Sequence, residues 1–414
     1  MDIKLSFYGA VQNVTGSKYL LQADGTNILV DCGMYQERDF RERNWNPFPF
    51  EPKKIDCVFL THAHLDHCGL LPKLARDGFD GPIYCTQATA DLAKIILIDA
   101  AQLLEEDAQH KRERHEKEGR ISPYPEVPPY TVKDAEGCFP LFEPLEYRNT
   151  VSLDSTKKIQ ASLFNAGHVL GSSIVSVRLA LNGQTRSIIF TGDIGRPDRP
   201  IVRDPDVFEA ADYVLIESTY GDRTHETGVD IVQKLADIIN STQQAGGNIV
   251  IPSFALERSQ EILLYIDRLL YDKRIKPIKI YLDSPMASRI TEVFKKHADL
   301  FDSELTALIK RRRSPFDLPQ LKCTCTTEQS KAINKLKKPG IIIAGSGMCS
   351  GGRIKHHLIS NISRPQSTIL FIGYQAAGTL GRQILDGEKQ VRILGNNYPV
   401  RARIEKNDNA KKKS

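Results

Sequence analysis

Apolar runs and amphipathic stretches alternate along the chain, and their order divides it. Residues 27–31 read as a short strand running into the turn Asp31-Cys32-Gly33, and 56–60 as a second strand entering a polar loop at Thr61. Residues 88–117 are expected to form a helix, apolar at Ile95, Ile96, Leu97, Leu103 and Leu104 and charged from His110 to Glu118, the charged end being a solvated face. Pro123, Pro125, Pro128 and Pro129 mark a loop within the domain. Residues 187–191 and 213–217 read as buried strands. From about residue 222 the pattern changes. Helical stretches at 230–240, 256–271 and 287–300 alternate with all-apolar strands at 248–252, 278–282, 340–344 and 368–372. The first of these helices sets Ile231, Leu235, Ile238 and Ile239 on one stripe. Helices alternating with fully apolar strands predict a parallel sheet covered on both faces, hence a second α/β unit at 222–377. The polar tail 407–414 is expected to be disordered.

Composition narrows the class. At 414 residues the chain is long enough for two domains. With 41% hydrophobic and 26% charged residues it is an ordinary globular protein rather than a disordered one. Lys+Arg total 56 against 51 Asp+Glu; a net charge of +5 on this length permits an anionic partner without arguing for one. No run of about 18 apolar residues occurs, which excludes a membrane-spanning helix. The start, MDIKLSFYGAV, lacks the basic-then-apolar pattern of a secretion signal, so a cytoplasmic location is expected. The eight cysteines form no CxxC pair and read as reduced thiols, with Cys68 and Cys349 as small packing residues.

The sharpest chemistry is His62-Ala63-His64-Leu65-Asp66-His67, directly after a strand. In extended backbone residues i and i+2 point the same way, so His62 and His64 can grip one ion. Asp66 and His67 follow at a helical turn and can face a second ion nearby. Four potential ligands within six residues need little loop ordering. Imidazole with carboxylate suits zinc, with manganese or iron as alternatives. His168, in Asn165-Ala166-Gly167-His168-Val169-Leu170-Gly171-Ser172, and Asp193, in Phe190-Thr191-Gly192-Asp193-Ile194-Gly195, sit beside glycines that let backbone approach an ion closely. Each alone would read as a loop residue; joined to the six-residue cluster they strengthen it.

This set resembles the metallo-β-lactamase superfamily, whose fold is an αββα sandwich with a two-metal site at its edge. The resemblance implies that His62, His64 and His168 hold one zinc, that Asp66 and His67 hold another, and that Asp193 bridges them. Two metals about 3.5–4 Å apart lower the pKa of a bridging water and clamp a displaced oxygen.

Further motifs lie in the second part of the chain. They are Glu217-Ser218-Thr219-Tyr220-Gly221, Pro252-Ser253-Phe254-Ala255-Leu256-Glu257-Arg258, Asp283-Ser284-Pro285-Met286, Gly345-Ser346-Gly347-Met348-Cys349-Ser350-Gly351-Gly352-Arg353 and Gly373-Tyr374-Gln375-Ala376-Ala377-Gly378-Thr379. Small residues after an apolar strand could cradle a phosphate through exposed amides and the Ser346 hydroxyl, with Gly347 in the turn and Arg353 available to pair with it. An ordinary structural turn is the alternative. Phe254 and Arg258 could offer a nucleotide a stacking face and a cation, although Phe254 could equally be core. Glu217 at a strand end could act as general acid, with a pKa raised if buried, or could simply bond backbone amides. The basic runs at 273–276, 310–313 and 335–338 all fall in the second unit, where they would attract a phosphate backbone.

The motif series closely resembles the β-CASP ribonucleases, including the bacterial and archaeal relatives of the pre-mRNA 3′-end processing endonuclease subunit, over residues 1 to about 404. That resemblance implies a metallo-β-lactamase sandwich with an inserted β-CASP parallel α/β domain. The first domain takes residues 1–221, the insertion 222–377, and 378–406 would return to the first domain and be cut short before the tail. It also implies a zinc-dependent ribonuclease that hydrolyses single-stranded RNA with a metal-activated hydroxide. Asp66 would orient the nucleophile, Glu217 would protonate the leaving group, and Phe254, Arg258, Ser284, Ser346, Gly347 and Arg353 would contact RNA. No membrane partner is expected, and a homodimer stays open. Rival readings are an RNA-binding protein with weakened or no catalysis, and a metallo-hydrolase of a small ester or thioester. DNA is disfavoured because the series looks like the RNA-directed branch. The first rival has a basis: family members continue past the position of Arg403 with a Gly-Phe-Ser-Ala-His-Ala-Asp-like segment whose His completes the second metal site, and here no His follows His357. The second site therefore has at most Asp66, His67 and Asp193, and weak occupancy of it is expected.

Overall fold

Short strands, some buried throughout and some on one face, build the first unit, which comprises Met1–Gly221 with Asp299–Ser303. The computed structural model describes residues 3–37, 39–119, 125–181, 183–219, 221, 231–335 and 338–406. One sheet has the order β1 (Lys4–Gly9), β2 (Lys18–Ala23), β3 (Thr26–Val30), β4 (Cys57–Phe59), β5 (Ile83–Cys85), β6 (Phe142–Pro144). It is antiparallel from β1 to β3 and parallel from β3 to β6. The other holds β7 (Thr150–Ser152), β8 (Ile159–Asn165), β9 (Ser173–Leu181), β10 (Gln184–Phe190) and β11 (Tyr213–Leu215) in sequence order, antiparallel except for the β10–β11 pair. Leu21, Ile28, Val30 and Phe59 of the first sheet pack with Leu163, Val175, Val177, Ile188 and Phe190 of the second in one buried core. The parallel strands of the first sheet need crossovers, and each of these contains helical turns or helices, whereas the parallel β10–β11 connection contains none. The longest, Gln87–Glu118, starts where the Thr86 hydroxyl accepts the Thr89 N–H at 3.1 Å and ends at Gly119, whose φ of 62° favours glycine.

The second unit, Asp222–Ala298 with Glu304–Ser414, is built on a six-stranded sheet. Its order is β14 (Leu321–Cys323), β13 (Lys279–Asp283), β15 (Gly340–Ala344), β12 (Ile249–Pro252), β16 (Thr368–Phe371), β19 (Arg403–Lys406), every pair parallel. Strands β12 and β15 are buried along their whole length, as continuous apolar runs in a doubly covered parallel sheet should be. A small hairpin of β17 (Gln390–Ile393) and β18 (Asn396–Pro399) precedes β19.

Two expectations are corrected. Residues 213–217 are not a buried strand: β11 is the outermost strand of its sheet, and Tyr213, Val214 and Ile216 are exposed. Nor does 378–406 rejoin the first unit. β19 pairs with β16, Thr368 opposite Arg403 through Phe371 opposite Lys406, and Val391, Ile393 and Ala402 lie in the second unit's core. Without β19, that edge of β16 would present an unpaired ladder. The tail 407–414, Tyr220, and parts of the proline loop and of the basic run at 335–338 lie outside the described residues. All eight cysteines are free thiols, with Cys68 and Cys349 fully buried.

Candidate metal centre

The centre is assembled at strand ends. β4 stops at Phe59, the chain bends at Ala63, and His64, in extended backbone, precedes the helical turn Leu65–Cys68. Across the bend His62 and His64 still converge, with ring nitrogens 3.0 Å apart, and the helical turn carries Asp66 and His67. His168 comes from the β8–β9 connection, where the Ser172 hydroxyl accepts its N–H at 3.0 Å. Asp193 follows β10.

Four ligand atoms, one each from His62, His64, His168 and Asp193, lie within 4.8 Å of one another. His62 Nε2 is 3.0 Å from His64 Nδ1, and His168 Nε2 is 3.2 Å from it. Asp193 Oδ2 is 3.4 Å from His168 Nε2 and 3.8 Å from His62 Nε2. Ligands at zinc–nitrogen distances around a tetrahedron lie about 3.3 Å apart, so this donor set fits a divalent metal. The other Asp193 oxygen, Oδ1, is 3.2 Å from His67 Nε2, and Asp66 Oδ2 is 4.0 Å from the same nitrogen. Asp193 thus offers one oxygen to each group of donors.

Charge supports that fit. Burial, together with neighbouring imidazoles, pushes His62 well down and His168 to about 3, and burial lowers His64 against the pull of Asp66 and Asp193. These imidazoles therefore hold free lone pairs at neutral pH, the form a metal takes. His67 differs: burial opposes its charge, but the Asp31 and Asp193 carboxylates outweigh burial and hold it well above its usual range. Burial likewise opposes the Asp193 carboxylate, and His67, His62 and His168 outweigh it and hold the group well below the carboxylate range.

Asp31 is the residue that motif reasoning missed. It is fully buried, and its Oδ2 accepts from His67 Nδ1 at 2.7 Å and from the Thr61 hydroxyl at 2.9 Å, while Oδ1 accepts the Thr61 N–H at 2.8 Å. A carboxylate on Nδ1 leaves Nε2 to face the metal. Its only sequence signal is an acid at the end of a strand. Asp31→Asn is expected to lower metal affinity or activity about 10–100-fold with the fold retained by circular dichroism; isothermal metal titration reads the loss directly.

Glycines serve the loops rather than the ion. A Cβ on Gly33 would sit 1.5 Å from the Asp66 carbonyl oxygen, and one on Gly195 would sit 1.8 Å from that of Gly167. The bare backbone lets the Asp66 turn lie against Gly33, and the Asp193 loop against the His168 loop, where Gly195 N–H donates to Ala166 O at 2.8 Å.

Glu217 leaves β11 beside Asp193's strand, since Phe190 and Leu215 are register partners. It is half-buried, and its Oε2 accepts the Thr219 N–H at 3.1 Å. In the second unit, Pro252 and Asp283 are both register partners of Ala344, so Phe254, Ser284, Ser346 and Gly347 emerge at one sheet edge. Phe254 is 45% exposed, which removes the core reading, and a Cβ on Gly347 would sit 2.8 Å from its ring. Ser284 caps the helix Pro285–Lys296, Ser346 Oγ accepts the Gly351 N–H at 3.2 Å, and Arg258 pairs with Glu261. Arg353 is not available for a phosphate as expected. Its Nη1 donates to Asp283 at 2.7 Å and to Thr324 O at 3.0 Å, and its Nη2 to Cys325 O at 2.9 Å. A buried carboxylate claims the guanidinium first.

Comparison with known proteins agrees with this geometry. Residues 20–195 match the family model of the metallo-β-lactamase superfamily domain, and 259–384 that of the Beta-Casp domain. The chain is 38% identical over 397 residues to "Ribonuclease TTHA0252" of Thermus thermophilus, covering 96% of this chain and 85% of that one. It is 30% identical to an "RNase J-like protein" of Methanocaldococcus jannaschii, covering 98% and 85%. It is 32% identical to "Transcription termination factor FttA" of the same archaeon, covering 95% of this chain but only 60% of that factor's length. A crystal structure of a protein of unknown function from Enterococcus faecalis V583 shares the fold over 98% of this chain and 88% of that one, with TM-score 0.52 and 12% identity. Fold and centre together define a metal-dependent hydrolase of the metallo-β-lactamase superfamily. Within it, the chain belongs to the β-CASP ribonuclease family.

Proposed function

We propose that the chain hydrolyses phosphodiester bonds of single-stranded RNA with zinc as its metal. The convergence of His62, His64, His168 and Asp193 within 4.8 Å carries this reading, supported by the similarity to the Thermus ribonuclease over 96% of the chain. Bound metal supplies Lewis acidity at the phosphoryl oxygens and makes water acidic enough to attack at neutral pH. The protein's own groups do the rest. Neutral imidazoles of His62, His64 and His168 present lone pairs, and Asp193 divides its oxygens between the two donor groups. Asp66 accepts a hydrogen bond from the attacking water and orients it, and Glu217 delivers a proton to the leaving oxygen. Phe254, at the sheet edge with Ser284, Ser346 and Gly347, offers an unpaired base a stacking face. Among the described residues the second donor group has three members, Asp66, His67 and Asp193, and we read it as the weaker of two zinc sites.

Metal analysis alongside cleavage of labelled RNA tests this. The expected result is zinc-dependent cleavage of single-stranded RNA that a chelator abolishes, with one zinc held tightly and a second exchanging readily. Binding of RNA without cleavage at any metal loading would favour the inert binder; hydrolysis of a thioester but not RNA would favour the small-substrate reading.

A further inference from the structure

Two basic runs separate in sequence meet in the second unit. Residues 273–276 follow the helix Arg258–Tyr271, and Arg312 and Arg313 follow the helix Ser303–Arg311. Between them lies a cavity of about 400 Å³, lined by Tyr271, Lys273, Lys276, Pro277, Arg312 and Arg313 among others. That volume suits a small-molecule-sized group. Pro277 precedes β13, so the cavity opens toward the N-terminal edge of the parallel sheet. Phe254, Ser284, Ser346 and Gly347 follow the C-terminal ends of the same sheet's strands, so the cavity is separate from them.

The cavity wall is built, not a chance crowding of surface lysines. Asp267, fully buried, pairs with Arg312 at 2.8 Å and with Arg313 at 3.3 Å. The Arg312 guanidinium lies 4.0 Å from the centre of the Tyr271 ring, and Tyr271 is 66% exposed. One carboxylate thus fixes two guanidiniums, one of which stacks on an open aromatic face. Lys273 and Lys276 are exposed at the rim and make no ion pair among the described residues. The net charge is strongly positive, so the ligand is anionic. An acidic peptide would use the charge but leave the tyrosine face idle, and a duplex would hide its bases. An unpaired nucleic-acid strand uses both, phosphates on the cations and a base on the ring.

We propose that this cavity is an accessory site for single-stranded RNA, holding one unpaired base and its flanking phosphates. The inference rests on the ribonuclease reading. Fluorescence anisotropy of a labelled oligouridylate, with chelator present so that no cleavage intervenes, tests it across a salt series. The variants are Lys273→Asn with Lys276→Gln, and Tyr271→Ala. Lys273 has φ 56°, a conformation that asparagine tolerates well. Removing both lysines should make the plot of log affinity against log salt shallower by roughly 1.4, and weaken binding about tenfold at low salt. Tyr271→Ala should weaken binding about tenfold with the slope unchanged. Wild-type binding with both variants equal to it in affinity and slope would overturn the site, as it would if an acidic protein segment were the true occupant. Absence of any RNA binding by the wild-type chain would overturn the ribonuclease reading along with it.

Discussion

Replacing His64 by alanine should lower RNA cleavage by at least about a thousandfold, because transition-state charge stabilisation and water activation both depend on the metal. His64 Nδ1 is the hub of the donor set, 3.0 Å from His62 Nε2 and 3.2 Å from His168 Nε2. Its loss leaves three donors at the tighter group, so metal content should fall with activity. Asp66→Asn separates the two effects. Asp66 stands with the second donor group, 4.0 Å from His67 Nε2, so this variant should lose cleavage while the first zinc remains. Plasma emission spectroscopy beside a single-turnover assay reads both. Full activity in either variant would rule out the proposed chemistry.

Asp283→Ala should be the most destabilising single change in the second unit, by roughly 3–5 kcal/mol. The carboxylate is fully buried and all its acceptor capacity is used. Oδ1 accepts from Arg353 at 2.7 Å and from Thr324 at 2.5 Å, and Oδ2 from His357 at 2.6 Å and Ser330 at 2.5 Å. Removing it leaves the buried Thr324, Ser330 and His357 donors without their acceptor and takes the only carboxylate described against the Arg353 guanidinium, which keeps its bonds to Thr324 O and Cys325 O. Urea unfolding should show the loss, while zinc bound per folded chain stays constant because the donor cluster belongs wholly to the first unit. The network also sets an acid limit. Burial would raise the Asp283 carboxyl, but the four hydrogen bonds outweigh it and hold the group well below its ordinary value. With the folded pKa depressed, the contribution is complete above the unfolded value near 3.9 and is lost as pH falls through the folded value. Below about pH 4 the wild-type chain should lose stability more steeply than Asp283→Ala.

How much of this could be read in advance depends on distance along the chain. The His62–His67 cluster was legible because its four side chains fall within six residues, so little chain has to be ordered to bring them together. The strands at 340–344 and 368–372 were legible because a run buried on both faces must be apolar throughout. The strand at 213–217 misled for the same reason: apolar residues at a sheet edge resemble a core run until the missing neighbour is seen. Arg353 misled because a glycine-rich turn beside an arginine looks like a phosphate cradle, and nothing local reveals that Asp283 holds it.

Local periodicity and side-chain type alone pointed to a metal-binding cluster after one strand and to the alternation that makes the second unit a parallel sheet, and the family was read from the resemblance of the motifs. Only the folded chain decided that Asp31 stands behind His67, that β19 joins β16, and that Tyr271 and Arg312 stack over a buried Asp267. Each of these pairs segments far apart in sequence, and such pairings are selected by the packing of the whole core, which no local pattern encodes.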